Sequence, residues 1–188
     1  MRIALLGGSF NPPHNGHLSV ARQVIAFGYA DQVWFLPNYG QSPPKDVALI
    51  EDRLAMTRLL AEELPGTRVS TIEIDNKLDG ETIRILPFLP KGHEYSFIIG
   101  SDQLPGFTKW LDWQTLLKSL RFLVFPRREY PMEPIYKGMI TMNDERLTVI
   151  DISSTEIRSR IRKGESITGM VPPKVEQYLR EKDTFQVD

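Results

Sequence analysis

The feature that most limits the fold of this chain is a set of short apolar runs, each of strand length and each ending abruptly in turn-forming or polar residues. With the weakest run named last, they occupy residues 3–6, 33–36, 97–99, 122–125, 147–150 and 67–74. Hydrophobicity within the runs is continuous rather than alternating, which is typical of strands covered on both faces in a parallel sheet. The chain is therefore expected to build its core on such a sheet.

Segments with helical periodicity separate these runs. In the first of them Val20, Val24 and Phe27 lie on one helical face. The predicted helices cover residues 18–27, 49–64, 110–120, 156–162 and 173–180. Strands that alternate with helices indicate βαβ units with right-handed crossovers. We therefore predict an α/β fold, a Rossmann-like, doubly wound and mostly parallel sheet with helices on both faces, in one domain over residues 1–188.

The composition excludes several classes of protein. The chain has no Cys, which rules out disulfide frameworks, thiolate zinc sites and cysteine nucleophiles. Its 23 Lys and Arg nearly balance its 24 Asp and Glu, which argues against a nucleic-acid partner held by bulk charge. No apolar stretch reaches the ~18 residues of a bilayer span, and no signal-peptide pattern is present. We expect a cytoplasmic protein without membrane or nucleic-acid partners, and its oligomeric state stays open, a homo-oligomer included.

Glycine, hydroxyl and basic residues follow the predicted strands at the points where the strands end. In a parallel sheet the carboxyl ends of the strands lie along one edge, and ligands bind in the crevice there. These residues are therefore expected to meet at one edge, whatever the function is. They fall in residues 7–18, 37–45, 100–102, 126–128 and 151–158.

His14 and His17 stand at the expected start of the first helix. Free N–H groups and the positive dipole of a helix start favour anions, and imidazoles there suit a phosphate, which would raise their pKa. Gly7 and Gly8 let the backbone turn and approach such a ligand closely. Two alternatives stay open, a pair of solvated loop histidines and a metal site completed by a carboxylate, since His93 is the one other histidine of the sequence.

A polar string at residues 153–158 follows the fifth run. Ser153 and Glu156 have the spacing of a capping box, so the simplest interpretation is a helix cap. That interpretation leaves Ser154 and Thr155 with hydroxyl and N–H groups at a helix N-terminus, where a phosphate binds well. Arg158 could reach the same phosphate from one turn further along. Both interpretations predict a helix start, and only the second predicts a binding site.

Two motifs in these segments resemble signatures of the nucleotidyltransferase superfamily. Residues 8–17 read Gly-Ser-Phe-Asn-Pro-Pro-His-Asn-Gly-His, similar to Gly-x-Phe-x-Pro-x-His-x-Gly-His, and residues 152–158 read Ile-Ser-Ser-Thr-Glu-Ile-Arg. Within the superfamily the chain most resembles the bacterial nicotinate-nucleotide adenylyltransferases, over nearly its whole length. The resemblance implies transfer of an adenylyl group from ATP to nicotinate mononucleotide in NAD biosynthesis, giving deamido-NAD and pyrophosphate. For such a reaction we expect Mg²⁺ to come with ATP, bound to the triphosphate and water, and no metal to be held by the protein itself, because Mg²⁺ needs few protein ligands.

The resemblance implies roles for individual residues as well. His14 and His17 bind the reacting phosphates, Asp102 binds the adenosine ribose, and Trp110 stacks on the pyridine ring, although its apolar surroundings equally suit a core residue. The residues expected to bind ATP are Gly8, Ser9, Phe10, Gly100, Asp102, Ser153, Ser154, Thr155 and Arg158. The residues expected to bind the acceptor are Asn38, Lys45, Thr82, Trp110 and Arg127.

The chain departs from the family pattern on the acceptor side. A Gly-x-Ser-Tyr-Thr-x-Asp-Thr-Leu block is expected near residues 78–86, but only Thr82 and Leu86 of it remain, and the His that usually precedes Lys45 is absent. Arg84 is either an additional cation for the acceptor or a solvated helix charge. Three alternatives therefore remain: an adenylyltransferase with a nicotinamide mononucleotide or phosphopantetheine acceptor, a fragment of a class I aminoacyl-tRNA synthetase, and a nucleotide-binding regulator that has lost catalysis.

Overall fold

A computed structural model describes residues 1–39 and 47–185 of the chain, whose strands form one parallel sheet. The strands are β1 (Arg2–Gly8), β2 (Gln32–Pro37), β3 (Thr67–Val69), β4 (Glu94–Gly100), β5 (Arg121–Phe125) and β6 (Met139–Thr141). They lie in the order β3-β2-β1-β4-β5-β6, and every neighbouring pair is parallel. The Rossmann-like, doubly wound sheet is thus confirmed, with its switch point between β1 and β4, where a ligand crevice is expected.

Helices cover both faces of the sheet. They are α1 (Asn15–Ala26), α2 (Ile50–Glu62), α3 (Ile72–Asp75), α4 (Trp113–Ser119), α5 (Ser154–Arg162) and α6 (Pro173–Glu181), with 3₁₀ helices at Thr82–Phe88 and Ser101–Lys109. Neighbouring residues of a strand point to opposite faces. Ile98 of β4 accordingly packs in a core with Val24 of α1, while Ile99 packs in a second core with Leu116 of α4. Burial on both faces explains why the apolar runs are continuous.

None of the helices in the described ranges is both long enough and apolar enough to cross a membrane.

A third apolar cluster joins the C-terminal helices to α2. Met56 of α2, Ile157 of α5 and Val175 of α6 are fully buried in this cluster. The same region reaches α1, because the backbone N–H of Asn15 donates to the Met170 carbonyl at 2.8 Å. This packing carries the N-terminus of α5 to the loop that follows β1.

The predicted strand at residues 147–150 is wrong. Leu147 and Val149 do pack against the core beside α1. The backbone of Thr148, however, pairs with the side-chain amide of Gln23: its N–H donates to Oε1 at 2.7 Å, and its carbonyl accepts from Nε2 at 2.9 Å. One amide side chain thus takes the place of a neighbouring strand. The edge position belongs to β6, whose three residues are too few to stand out as an apolar run.

Several predicted boundaries also move. The weak run at residues 67–74 divides into β3 and the start of α3. The helix predicted over residues 110–120 begins only at Trp113, because Trp110 ends a 3₁₀ helix with extended backbone angles, φ −68° and ψ 141°. Helix α1 begins at Asn15 rather than at residue 18, because His14 caps it.

The turn before β6 offers a test of the packing at this edge. Gly138 has a φ of 101°, and a Cβ there would lie 3.0 Å from the Leu117 carbonyl oxygen. Gly92 has a φ of 87°, but a Cβ there would meet no atom within 4 Å. An alanine at either position is strained by about 1 kcal/mol, and only the alanine at Gly138 also collides with main chain.

We therefore expect Gly138→Ala to lower the free energy of unfolding by about 2–4 kcal/mol and Gly92→Ala to lower it by about 1 kcal/mol. Urea denaturation of both variants, with unchanged denaturant slopes, gives the comparison. Equal losses would contradict the collision with the Leu117 carbonyl.

Candidate active site

The structure brings the predicted residues that it describes to the carboxyl edge of the sheet, around the loop that follows β1. On one side of this loop the N–H of Asn38, just after β2, donates to the Gly8 carbonyl at 3.0 Å. On the other side the hydroxyl of Ser154, at the start of α5, donates to the Pro12 carbonyl at 2.8 Å. Lys45 lies outside the described residues.

His14 and His17 cap α1 reciprocally. Nδ1 of His14 accepts a hydrogen bond from the N–H of Gly16 at 3.1 Å, and Nδ1 of His17 accepts one from the N–H of His14 at 3.2 Å. These bonds satisfy backbone donors that a helix start leaves without partners. Because both Nδ1 atoms accept, the proton of each neutral imidazole is on Nε2. The site thus presents two Nε2–H donors.

The surroundings of the two imidazoles keep them neutral. Burial, and then the positive charge of Arg127, lowers the pKa of His14 to about 3. Burial, the neighbouring His14 ring and Arg127 hold the pKa of His17 well below its usual value. The two ring centroids are 3.8 Å apart, which suits two neutral rings better than two charged ones. A bound phosphate would raise both pKa values, as the sequence suggested, but from a starting point far below neutrality.

Phe10 supports His17 from the core. Its side chain is 1% exposed, and its ring centroid lies 4.9 Å from that of His17 and 5.8 Å from that of Phe35. Its φ of 48° turns the loop after Ser9. The side chain of Phe10 therefore packs beneath the site in the core. Of this residue, only the main chain is placed to make the contact with ATP that the sequence predicts.

The start of α5 holds the loop after β1. Ser153 caps the helix, accepting the N–H of Glu156 at 3.1 Å, whereas the Glu156 carboxylate pairs with Arg160 at 3.3 Å and does not complete the capping box. Arg158 donates from Nη1 to the Asn11 carbonyl at 2.8 Å and more weakly, at 3.4 Å, to the hydroxyl of Thr155. Arg158 thus lies against the loop that carries the histidines.

Asp102 and Arg127 meet at the ends of β4 and β5. Nε of Arg127 lies 3.7 Å from Oδ1 of Asp102, with both side chains partly exposed. The fully buried Ser101 accepts the N–H of Arg127 at 2.9 Å and donates to the Tyr130 carbonyl at 3.0 Å. Gly100 permits this arrangement, since a Cβ there would collide with Oδ1 of Asp102 and lie 3.0 Å from Nε of Arg127. The sequence indicated the residues but not this pairing.

A cavity of about 540 Å³ opens beside the loop after β1. Gly8, Asn38, Thr82 and Trp110 are among its lining residues, so the structure brings the acceptor residues that it describes, Arg127 excepted, to one space. Trp110 is half-buried, and its ring meets the Phe97 ring edge-on with centroids 6.2 Å apart. Trp110 therefore both packs against the core and lines the cavity, so the two roles predicted for it do not exclude each other.

Carboxylates share the lining of this cavity. Glu73, Asp79 and Glu81 line it together with Lys109. Glu73 is 4% exposed, and burial raises the pKa of its carboxyl. Arg84, the additional cation suggested by the sequence, forms an exposed pair with Asp79 at 3.9 Å. The altered block at residues 78–86 thus gives the cavity an acidic wall.

Arg53 is a residue that the sequence analysis missed. It is 2% exposed, and Nη1 donates to the Ser9 carbonyl at 2.8 Å while Nη2 donates to the Asn38 carbonyl at 3.0 Å. A signal was present, because Arg53, Met56 and Leu60 have the spacing of one buried helix face. An arginine on such a face needs partners in the interior, and this reasoning would have singled it out.

A further cavity, of about 660 Å³, lies at the opposite edge of the sheet, where Glu94 begins β4 and Arg121 begins β5. None of the predicted site residues lines it. Ligands of open parallel sheets bind at the carboxyl edge, so this cavity is not the candidate site. In residues 1–39 and 47–185, no group of three or more His, Asp or Glu side chains is arranged to hold a metal ion.

Comparison with known proteins shows the family to which this chain belongs. Residues 5–160 match the cytidylyltransferase-like family model. A probable nicotinate-nucleotide adenylyltransferase of Caldicellulosiruptor saccharolyticus is 39% identical over 198 residues, which cover 99% of this chain and 100% of the relative. A protein of the same description from Anaeromyxobacter sp. strain K is 38% identical over 190 residues, 98% of this chain and 96% of the relative.

The fold has a close match among solved structures. Plasmodium falciparum nicotinic acid mononucleotide adenylyltransferase in complex with NaAD superposes with a TM-score of 0.82, at 17% identity, over 98% of this chain and 97% of that one. The chain thus belongs to the cytidylyltransferase-like family and is a nucleotidyltransferase with a Rossmann-like fold. Its full-length relatives place it among the nicotinate-nucleotide adenylyltransferases, enzymes of NAD biosynthesis, and so it is not a fragment of an aminoacyl-tRNA synthetase.

The buried imidazole of His14 makes stability depend on pH. An unfolded histidine binds a proton as the pH falls through about 6.5, whereas folded His14 stays neutral down to about pH 3. Below pH 6.5 the unfolded state therefore binds more protons, and the free energy of unfolding falls with pH. For His14 alone we expect a loss of about 1.5 kcal/mol between about pH 6.5 and about pH 5.

The variant His14→Asn keeps a side-chain acceptor for the cap but has no titrating ring. Urea denaturation at the two pH values should show that it loses less stability over this interval than the unmodified protein does. An equal loss in both proteins would mean that His14 takes up its proton in the folded state.

Proposed function

We propose that this enzyme transfers the adenylyl group of ATP to nicotinate mononucleotide, with the Nε2–H groups of His14 and His17 holding the reacting phosphates. The reciprocal cap carries the proposal, because it leaves two neutral, oriented donors at a helix N-terminus on the ligand-binding edge of the sheet. The Plasmodium falciparum enzyme, which shares this fold, was solved with NaAD. Full-length relatives described as nicotinate-nucleotide adenylyltransferases support the same acceptor.

The proposed reaction is an in-line displacement at phosphorus. An oxygen of the mononucleotide 5′-phosphate attacks the α-phosphorus of ATP, the bond from that phosphorus to the bridging oxygen breaks, and pyrophosphate leaves. No nucleophile of the enzyme is required, so catalysis consists of positioning and of stabilising negative charge. The two imidazoles donate to the α-phosphate oxygens. Mg²⁺ enters with ATP as part of the substrate, coordinated by phosphate oxygens and water.

On the ATP side, the start of α5 receives the triphosphate. The hydroxyl of Ser153 accepts the N–H of Glu156. The N–H groups of Ser154 and Thr155 lie at the same N-terminus of α5, where the helix dipole favours anions. Arg158 adds positive charge beside them. Asp102 binds the adenosine ribose, and the remaining ATP contacts come from Gly8, Ser9, Phe10 and Gly100.

On the acceptor side, Trp110 stacks on the pyridine ring within the cavity of about 540 Å³. Asn38 and Thr82 line the same cavity, and Arg127 supplies positive charge near the histidines, as its effect on their pKa values indicates. Lys45 completes the acceptor set on the evidence of the sequence alone. We place this enzyme in the cytoplasm.

The first test concerns His17. With ATP, Mg²⁺ and nicotinate mononucleotide, pyrophosphate release should be readily measured, and His17→Ala should lower kcat by ~10²–10⁴ because a donor to the charged transition state is lost. His17→Asn is the matched control for folding, since its Oδ1 can still accept the N–H of His14 in place of Nδ1, whereas its shorter amide does not reach the position of Nε2. It should melt like the parent protein and remain strongly impaired. Near-normal turnover of either variant would remove His17 from the mechanism.

A second test concerns the acceptor. Stacking on Trp110 is worth ~1–3 kcal/mol for any aromatic base, so the pyridine substituent decides the preference. Carboxylates in the cavity wall disfavour the negative charge of nicotinate, and we expect nicotinate mononucleotide to be preferred over nicotinamide mononucleotide by a smaller kcat/KM margin than in typical members.

Removing one wall charge should widen that margin. Glu81→Gln keeps the shape of the side chain, and Glu94→Gln, at the opposite edge of the sheet, is its control. An unchanged ratio in Glu81→Gln would show that the acidic wall does not act on the pyridine substituent. Activity with phosphopantetheine alone would refute the proposed acceptor and leave adenylyl transfer standing.

A further inference from the structure

Arg53 is a buried cation that contacts both the loop after β1 and the residue that follows β2. It projects from the first turn of α2 and is 2% exposed. Nη1 donates to the Ser9 carbonyl at 2.8 Å, and Nη2 donates to the Asn38 carbonyl at 3.0 Å. Ser9 belongs to the loop after β1, on the ATP side, and Asn38 directly follows β2, on the acceptor side. One guanidinium therefore ties the two halves of the site together.

The partners of Arg53 are unusual for a buried arginine. In the described parts of the chain its bonds go to neutral oxygens and no carboxylate pairs with it. Among the residues that the structure describes, its buried Nε atom has no hydrogen-bond partner, and burial lowers the pKa of the group. Burying an uncompensated charge is costly, and an apolar residue would fill the same helix face more cheaply. Stability alone does not account for an arginine here.

The contacts of Asn38 show what Arg53 achieves. The N–H of Asn38 donates to the Gly8 carbonyl at 3.0 Å, and its carbonyl accepts from Arg53. Its side-chain Oδ1 also faces Arg53, with Nη1 at 3.5 Å. An amide whose oxygen faces a cation turns its NH₂ group the other way. Asn38 lines the acceptor cavity, so an NH₂ group turned away from Arg53 would be a hydrogen-bond donor for an acceptor bound there.

We propose that Arg53 is a positioning residue that fixes the Ser9 main chain and the orientation of the Asn38 amide. It thereby holds the loop after β1, which receives ATP, and the Asn38 donor to the acceptor in fixed positions relative to each other. It touches neither substrate and acts through these two residues. This inference rests on the proposed adenylyl transfer to a mononucleotide.

The test compares Arg53 with Arg58, an exposed arginine on the same helix. Arg53→Lys keeps the positive charge but loses the planar guanidinium, which binds two carbonyls at once. Arg53→Met loses the charge as well as the guanidinium. We expect KM for nicotinate mononucleotide to rise at least tenfold in both variants, with a fall in kcat. Arg58→Lys and Arg58→Met should stay within twofold of the parent enzyme. Parent-like KM and kcat in Arg53→Lys would overturn the proposal.

A double-mutant cycle separates positioning from mere support of the fold. If Arg53 acts through Asn38, then Arg53→Lys combined with Asn38→Ala should be within about twofold of Asn38→Ala alone in KM for the mononucleotide. Arg127 lies just after β5 and does not contact Arg53 in the described residues. When Arg53→Lys is combined with Arg127→Ala, the two increases in KM for the mononucleotide should therefore multiply. Effects that multiply in both combinations would assign Arg53 to general stability and overturn the proposal.

The outcomes also distinguish this inference from the proposed function. An unmodified enzyme that releases no pyrophosphate with nicotinate mononucleotide would refute the proposed function, whatever Arg53 does. An active unmodified enzyme with an equally active Arg53→Lys variant would refute only the role of Arg53. Thermal melting shows whether each Arg53 variant is folded. If Arg53→Met does not fold, KM and kcat of Arg53→Lys, which keeps the buried charge, still test the proposal.

Discussion

The candidate site depends on the hydrogen bonds that start α1. Backbone donors at a helix start need acceptors, and short oxygen-bearing side chains usually provide them. Here the acceptors are the Nδ1 atoms of His14 and His17, and Gly16 lets the first ring come close, since a Cβ on it would lie 2.8 Å from His14 Nδ1. A His14 protonated on Nδ1 could not accept the N–H of Gly16. The same bond therefore starts the helix, keeps the ring neutral and directs its Nε2 proton outward.

The loop that precedes this helix is held by its carbonyl groups. Arg53 binds the Ser9 carbonyl, Arg158 binds the Asn11 carbonyl, and Ser154 binds the Pro12 carbonyl. A loop that receives a polyanion must keep its carbonyl oxygens away from the ligand, and these donors from α2 and α5 do so. Ser154 and Arg158, predicted from the sequence as phosphate ligands, thus shape the site before any phosphate arrives. The C-terminal helices are part of the site because they supply these donors.

Sequence patterns were sufficient where the governing interactions are local or periodic. The strands buried on both faces and the cap at Ser153 follow from neighbouring residues, and so does the position of the two histidines near the start of α1, although the helix itself is predicted only from residue 18. The errors concern side chains that pair with a distant backbone. Gln23 satisfies Thr148, across 125 positions, and so replaces an expected strand partner, while Arg53 reaches Ser9 across 44 positions. Hydrophobic periodicity can place a polar residue on a buried helix face, as it does for Arg53, but it does not show which distant backbone groups that side chain reaches.

The near-zero net charge of the chain conceals a local separation of charge. Arg53 and Arg158 hold the loop after β1, and Arg127 is near enough to lower the pKa of both imidazoles. Carboxylates instead line the neighbouring cavity, where the pyridine ring of the proposed acceptor would lie. Burial and the positive charge of Arg127 disfavour protonation of the histidines, and arriving phosphates favour it. A neutral imidazole already donates from Nε2, so its hydrogen bond to a phosphate does not require protonation of the ring. The separation of charge therefore acts on where the phosphates and the acceptor ring bind, while the two neutral, capped histidines supply the donors.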